Sequence, residues 1–195
     1  MELDSRTRIL NAALTLFDQW GYEGTSMDAI RAAAGFRTKS SLYAHCSSKE
    51  QIAATLLDRI LAEEAAAVGA HRIAPDEATL EDVLELAEQM TLWGLSHSAA
   101  YRFCFLQWQG ELLALSRSHT NLEATAGWAV AVIRRLQQSG GAARDLDPGL
   151  LVTACTGLMN QVIAESGRGQ QALSPAGARR LARQVRELCR AILCP

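Results

Sequence analysis

The sequence is poor in lysine and proline, has few β-branched residues and lacks any long uninterrupted apolar run. Only four prolines interrupt 195 residues, and alanine, leucine and other helix formers are abundant, which favours helices over strands. No apolar run approaches the roughly 18 residues that a membrane span needs. The N-terminus also lacks the basic and apolar regions of a secretory signal. We therefore expect an all-α protein of the cytoplasm with no membrane contact.

Cysteine and histidine show no pattern that predicts a disulfide framework or a metal site. The five cysteines are scattered without a Cys-x-x-Cys pair, which is typical of reduced thiols, and the four histidines are dispersed. The sequence also contains no glycine-rich phosphate loop, no nucleophile elbow and no pair of carboxylates that spacing singles out. We therefore expect no metal, no cofactor and no enzymatic activity.

Positive charge is concentrated in one stretch of a chain whose formal net charge is −2. From Arg31 to Lys49 there are four basic side chains and a histidine but no acid, and the chain's two lysines, Lys39 and Lys49, both lie here. A local basic patch on a mildly acidic protein indicates an anionic partner that touches one place only.

The apolar spacing of the first fifty residues predicts three helices, over 5–20, 26–33 and 40–45. Gly21 ends the first helix, and Gly35 supplies the permissive backbone of a tight turn. Two short helices joined by such a turn, with a longer helix in front, form a helix-turn-helix. In that motif we expect Leu42 to pack inward and Tyr43 to point outward.

The remainder of the chain is also predicted to be helical. A capping box of Ser47 and Glu50 begins a long fourth helix that runs to about Val68, and Asp147-Pro148 and Ser174-Pro175 are typical starts of later helices. Those later helices are expected over 79–90, 98–116, 121–139, 149–166 and from residue 175 onward. The last helix carries a basic stripe, which we expect to pair with the glutamates of the 77–88 segment: Arg179, Arg183, Arg186 and Arg190.

A combination of spaced residues in segment 6–50 resembles the N-terminal domain of TetR-family transcriptional regulators. Each piece is weak alone, but together they form a strong signal: Phe17, Gly21, Thr25-Ser26, Ile30, Gly35, Leu42-Tyr43 and Ser48-Lys49-Glu50. The resemblance implies an all-helical homodimer. It implies a three-helix DNA-binding head, residues 1–50, and a larger C-terminal helical domain, residues 51–195, for effector binding and dimerisation.

The same resemblance implies which side chains meet DNA. Positions that usually hold phosphates are Thr25, Tyr43, His45 and Lys49. The start of the recognition helix, where the base-reading residues are expected, covers Arg37, Thr38, Lys39, Ser40 and Ser41. One residue more than usual separates Gly35 from Leu42, so the choice among those five stays open. Cys46 stands where members of that family commonly have an aromatic residue. We therefore expect a small apolar filler and loose packing at this position. The alternative is that Cys46 is a redox-active thiol.

Two surfaces are predicted in the C-terminal half. Side chains that would line a chamber for a small, partly apolar effector are Met90, Trp93, His97, Tyr101, Phe105 and Trp108, with an ordinary aromatic core as the alternative. Residues that would form a homodimer interface are Ala126, Ala129, Ile133, Ala154, Gly157 and Leu158, with packing inside one chain as the alternative.

These expectations describe a ligand-responsive transcriptional regulator, in the role of a repressor. It would bind palindromic double-stranded operator DNA as a homodimer and be released by a small-molecule effector. Two alternatives stay open. One is an enzyme acting on a small apolar substrate, for which the sequence shows no reactive constellation. The other is an effector-independent DNA-binding or helical interaction protein.

Overall fold

Helices account for all the regular structure in the described part of the chain. The computed structural model describes residues 4–68, 73–106, 119–140, 145–166 and 173–194. Its helices are α1 (Ser5–Gly24), α2 (Met27–Ala33), α3 (Lys39–Tyr43), α4 (Lys49–Val68), α5 (Leu80–Ser96), α6 (Ser98–Tyr101), α7 (His119–Gln138), α8 (Pro148–Ser166) and α9 (Pro175–Leu193). A π-helical turn, Arg102–Leu106, follows α6. The all-α prediction is confirmed, and none of the helices described is long and apolar enough to cross a membrane.

Two late helices begin at the predicted pairs of a polar residue and a proline. Asp147 accepts a hydrogen bond from the Leu150 amide at 2.8 Å, and Ser174 accepts one from the Gly177 amide at 3.1 Å. Short polar side chains are effective at these positions because the first amides of a helix have no partner within it. Both predicted helix starts, for α8 and α9, are confirmed.

The start of α4 differs by one residue from the predicted capping box. Ser48, and not Ser47, accepts a hydrogen bond from the Gln51 amide at 3.2 Å, while the Gln51 side chain accepts one from the Ser47 amide at 2.6 Å. Glu50 instead accepts a hydrogen bond from the Tyr22 hydroxyl at 3.1 Å. The predicted pairing of Ser47 with Glu50 is therefore wrong, because a glutamine one residue later competes for the same role.

The chain divides into two compact units. The first unit contains Met1–Ala62 and Ala99–His119, and the second contains Glu63–Ser98 and Thr120–Pro195. The helix α4 contributes residues to both units. This division reflects how tightly the residues pack, and it does not test the domain boundary that was predicted between residues 50 and 51. That boundary stays a prediction.

An aromatic cluster lies in the core of the first unit. Phe17 is wholly buried and stacks on Phe103 of the π-helical turn, with ring centroids 5.5 Å apart and planes 7° apart. Beside this stack, Arg102 donates two hydrogen bonds of 2.8 Å to the Asp18 carboxylate. Such a two-point contact fixes orientation as well as distance, so α1 and the π-helical turn are held in one arrangement.

The core of the second unit is built from α5, α7, α8 and α9. It includes Ala129 and Ile133, whose side chains are 7% and 0% exposed within a single chain. These two residues were predicted to face a partner subunit. That part of the prediction is wrong, because side chains buried in the chain's own core present no surface to a second copy.

Ion pairs join the basic face of α9 to the acidic face of α5, as predicted. Arg186 lies 2.6 Å from Glu81 and 2.8 Å from Glu88, and Arg190 lies 2.6 Å from Glu81. The guanidinium groups of Arg190 and Arg186 lower the pKa of Glu81 to about 2. Much of the basic stripe of α9 therefore forms ion pairs with glutamates of the same unit.

The substitution Glu81→Gln is expected to destabilise the protein in a way that depends on pH. Because the folded-state pKa of Glu81 lies near 2, below its ordinary value of 4.5, its stabilising contribution is complete above pH 4.5. That contribution disappears as the pH falls toward 2. Urea unfolding should therefore separate wild type from variant at neutral pH and bring them together at acidic pH. The matched control is Glu85→Gln, an exposed glutamate of the same helix, and a pH-independent gap would contradict the assignment.

Candidate nucleic-acid interface

The helices α2 and α3 form a small, well-packed pair. Leu42 of α3 and Ile30 of α2 are 1% and 0% exposed, whereas the neighbouring Tyr43 is 49% exposed. The predicted inward and outward directions of Leu42 and Tyr43 are confirmed. Because Leu42 anchors α3 through one face, the opposite face of this short helix is presented to solvent.

Hydroxyl groups fix the first turn of α3. The Thr38 Oγ1 atom accepts a hydrogen bond from the Ser41 amide at 3.2 Å, and the Ser41 hydroxyl donates to the Thr38 carbonyl at 2.7 Å. Ser40 also lies 3.2 Å from the Thr38 hydroxyl. Thr38 and Ser41 thus serve as the helix cap, which is the usual role of such residues before a helix. The helix α3 therefore begins at Lys39.

Two cations flank this cap with their charged ends exposed. Arg37 lies in the turn before the cap and Lys39 is the first residue of α3, and both are exposed. Neither forms an ion pair with any residue that the structure describes. Of the five candidate base-reading residues, Arg37, Lys39 and Ser40 therefore have side chains directed to solvent, while the hydroxyls of Thr38 and Ser41 are largely engaged.

The predicted phosphate contacts divide into engaged and exposed side chains. Thr25 is 2% exposed and its hydroxyl donates to the Gly21 carbonyl at 2.8 Å. Lys49 Nζ donates to the carbonyls of Tyr22 and Thr25 at 2.9 and 3.1 Å and lies 4.0 Å from the centroid of the Tyr22 ring. Both side chains brace the junction between α1 and α2, so their predicted role at phosphates stays a prediction.

Tyr43 and His45 are the exposed members of the predicted phosphate set. The His45 ring lies 5.6 Å from the Phe36 ring, at an interplanar angle of 50°. This contact orients His45 at the end of α3 without burying it. Tyr43 and His45 are therefore available to an external partner, and their phosphate contacts also stay a prediction.

A small cavity lies beside Cys46. The cavity has a volume of about 90 Å³ and is lined by residues of α1, the end of α3 and α4: Arg6, Ile9, Leu10, His45, Cys46, Gln51, Ile52 and Thr55. Burial raises the pKa of the Cys46 thiol. The cavity agrees with the loose packing expected beside Cys46. The raised pKa disfavours the thiolate on which a redox role for Cys46 would depend.

Two arginines near this surface were not identified from the sequence. Arg8 of α1 and Arg31 of α2 both donate hydrogen bonds to main-chain carbonyls of the turn that leads into α3. Helical spacing places both residues at the edge of the apolar stripe, but it does not specify carbonyl partners in a turn. The one signal in the sequence was the unusual length of that turn.

Comparison with known proteins finds a family model that matches the N-terminal region. Residues 9–56 match the model of the bacterial regulatory proteins of the tetR family. The N-terminal region of this chain is therefore similar to the tetR-family domain. A comparison with curated proteins gives no match.

Solved structures of tetR-family proteins resemble the chain over nearly its whole length. One is a regulatory protein in the tetR family from Rhodococcus RHA1, with 19% identity, 100% of each chain covered and a TM-score of 0.77. The ketosteroid transcriptional regulator KstR2 of Mycobacterium tuberculosis has 21% identity, covers 100% of this chain and 97% of its own, and gives a TM-score of 0.73. AibR, solved in complex with isovaleryl coenzyme A and operator DNA, is 19% identical. The match covers 98% of this chain and 99% of AibR, with a TM-score of 0.72. At these identities the likeness establishes the fold.

The predicted effector-contacting residues lie in both units of the chain. In the second unit, the buried Trp93 stacks on His97 at 5.0 Å, and His97 Nδ1 lies 3.0 Å from the Trp93 carbonyl. In the first unit, the buried Tyr101 stacks on Phe105 at 4.6 Å. Met90 is half-buried, and Trp108 lies outside the described residues. An effector chamber lined by these side chains stays a prediction.

A buried carboxyl group in the C-terminal part of α4 was missed by the sequence analysis. Glu64 is 9% exposed, and loss of hydration raises its pKa to about 7. The position continues the apolar stripe of Leu57, Ile60 and Leu61 at helical spacing. A glutamate at a position where helical periodicity calls for an apolar residue was therefore the available signal.

The remaining predicted interface residues have different environments. Ala154 and Gly157 of α8 and Ala126 of α7 are exposed, whereas Leu158 is half-buried and packs against the core of the second unit. A side chain built at Gly157 would meet nothing within 4 Å. The exposed small residues of α8 therefore form an open strip on the side of the helix opposite the core residues Leu151, Cys155, Met159 and Ile163.

Proposed function

We propose that this protein is a ligand-responsive transcriptional regulator, in the role of a repressor, that binds palindromic operator DNA as a homodimer. The observation that carries the proposal is the exposed start of α3, where Arg37 and Lys39 stand free on a helix anchored by the buried Leu42. A tetR-family domain over residues 9–56 supports the same conclusion.

The proposed contact places α3 in the major groove of DNA. In helix-turn-helix proteins the first residues of the recognition helix meet base edges, and a dimer engages two half-sites about one helical turn apart. Ser40 would face a base edge, Lys39 would reach the adjoining phosphate, and Arg37 would reach either a guanine edge or that phosphate. Tyr43 and His45, which are exposed on the same segment, would bond backbone phosphates.

The proposed dimer interface is the exposed strip of α8 together with the adjoining face of α9. The exposed small residues Ala154 and Gly157 allow close approach of a second helix. Leu150 of α8 and Leu188 of α9 are 59% and 51% exposed, although both are large apolar side chains. By contrast, the apolar stripe of α7 is used in the core through Ala129, Val132 and Ile133. This contrast favours α8 and α9 over the predicted pair of α7 and α8.

The proposed effector is a small, partly apolar molecule bound among the central helices. The structure of AibR with both isovaleryl coenzyme A and operator DNA supports an effector of this kind in a protein of the same fold. Effector and DNA would favour different states of the dimer, so each would weaken binding of the other. The helix α4, which starts beside α3 and contributes to both units, is the proposed mechanical link.

The substitution Lys39→Ala tests the DNA contact directly. We expect weaker binding to duplex DNA and a decrease of about one in the slope of log K against log salt, measured by fluorescence anisotropy. The control is Arg134→Ala, which removes an exposed charge from α7 and should leave the slope unchanged. Equal slopes for wild type and both variants would show that α3 does not meet DNA.

A further inference from the structure

The turn between α2 and α3 is held by an unusual set of arginine contacts. Five residues, 34–38, separate the two helices, whereas helix-turn-helix turns commonly have three or four. Arg31 Nη1 donates to the carbonyl of Phe36 at 2.5 Å and to the carbonyl of Arg37 at 3.2 Å. Its Nε lies 2.9 Å from the Asp28 carboxylate, one helical turn earlier. One planar side chain thus joins α2 to two successive carbonyls of the turn.

A second arginine holds the same turn from α1. Arg8 Nη2 donates to the Ala34 carbonyl at 2.5 Å, and its guanidinium lies 5.1 Å from the centroid of the Phe36 ring. Gly35 has a φ of +78°, and a side chain at that position would come within 2.9 Å of Arg8 Nη2. The backbone conformation therefore favours glycine there, and a side chain at this position would displace the Arg8 guanidinium.

Phe36 connects these contacts to the far end of α3. Its ring lies under Arg8 on α1 and 5.6 Å from the ring of His45, which follows α3. The longer turn is therefore fixed through Phe36, which contacts α1, α2 and the segment that follows α3. A turn held at three of its carbonyls leaves little freedom in the direction in which α3 leaves it.

The four basic residues that contact or flank the turn between α2 and α3 have two different roles. Arg8 and Arg31 direct their guanidinium groups at main-chain carbonyls, and Arg31 also pairs with Asp28. Arg37 and Lys39 remain exposed, with no ion pair among the residues that the structure describes. We propose that Arg31, assisted by Arg8, is a positioning residue that sets the direction of α3 and thereby determines DNA specificity, without itself contacting DNA.

This inference rests on the proposed DNA-binding function, and two variants of the full-length protein separate it from other roles. Arg31→Ala removes the contacts and the charge. Arg31→Lys keeps the charge but lacks the planar fork needed to bond Asp28 and two carbonyls at once. Each protein is titrated with its selected operator and with a mixed-sequence duplex at several salt concentrations, and melting temperatures are recorded.

For both variants we expect the ratio of specific to non-specific affinity to fall about tenfold or more, because one misplaced base contact costs a factor of this size. Non-specific affinity and the salt slope should stay at wild-type values, since no phosphate contact is lost. As the comparison, Arg37→Ala should weaken binding to both duplexes and lower the salt slope by about one.

Three results would overturn the inference. A salt slope reduced by about one in Arg31→Ala but not in Arg31→Lys would make Arg31 a phosphate contact. Full specificity in Arg31→Lys would mean that charge, and not the fork, matters. Unchanged specificity in both variants would remove any positioning role. If the wild-type protein selects no specific DNA site, the proposed function itself is contradicted. The wild-type selection is therefore completed before any variant is made.

Discussion

The substitution Phe17→Ala is expected to lower the free energy of unfolding by about 3–5 kcal/mol, the range for large aromatic side chains removed from a core. Phe17 is wholly buried and contacts both Phe103, at a centroid distance of 5.5 Å, and Tyr22, at 5.3 Å. Its removal would leave a cavity between α1 and the π-helical turn, because close-packed surroundings relax only partly. Urea unfolding followed by circular dichroism measures the loss.

The matched control for Phe17 lies three residues later on the same helix. Trp20 is also aromatic but is 57% exposed, so Trp20→Ala should change the free energy of unfolding by only about 0.5 kcal/mol. Similar losses for the two variants would show that the aromatic stack does not stabilise the first unit. A destabilised Phe17→Ala protein should also bind DNA less well, because α1 supports the α2–α3 pair.

The second large effect is expected from Gly157→Glu, which should convert the proposed dimer into monomers. A side chain at Gly157 meets nothing within 4 Å inside one chain, and replacing an exposed glycine in the middle of a helix favours the helix by about 0.5–1 kcal/mol. The monomer should therefore fold well. In the dimer, however, the added carboxylate would lie in the strip of α8 that is proposed to meet its own copy.

Sedimentation velocity measures this change, and operator affinity should fall about a hundredfold or more because a monomer presents a single recognition helix. Gly127→Glu is the control, since Gly127 of α7 is also exposed and also has open space around it. We expect Gly127→Glu to remain dimeric. Dissociation by both variants would extend the interface to α7, and dissociation by Gly127→Glu alone would place it on α7 instead of α8.

The architecture of the N-terminal region could largely be predicted because its determinants are local. Gly21, with a φ of 73°, kinks α1 where the sequence predicted its end, although α1 continues to Gly24. The spacing of Ile30 and Leu42 gave the two buried faces of the motif. Local determinants also compete, as the shift of the α4 cap from Ser47 to Ser48 illustrates. Contacts made by a long side chain across the fold, such as Arg8 with the Ala34 carbonyl, have no local signature.

The C-terminal half was harder to predict because helical spacing identifies an apolar face but not what covers it. Residues of both α7 and α8 were predicted to face a partner subunit, yet Ile133 of α7 is in the core while Gly157 of α8 is exposed. The pairing of Arg186 with Glu81 and Glu88 could be predicted, since opposite charges on two amphipathic helices have few other partners. The change from α6 to a π-helical turn at Arg102 had no signal in composition or spacing.

Selection of bound sequences from random duplex DNA, followed by titration of the selected site at two salt concentrations, tests the central claim most directly. A regulator of this kind should yield a palindromic site whose two halves lie about one helical turn apart. It should bind that site as a dimer, with a preference over mixed-sequence DNA that persists at moderate salt. Weak binding that ignores sequence and disappears as salt rises would reflect phosphate attraction alone and would contradict the account.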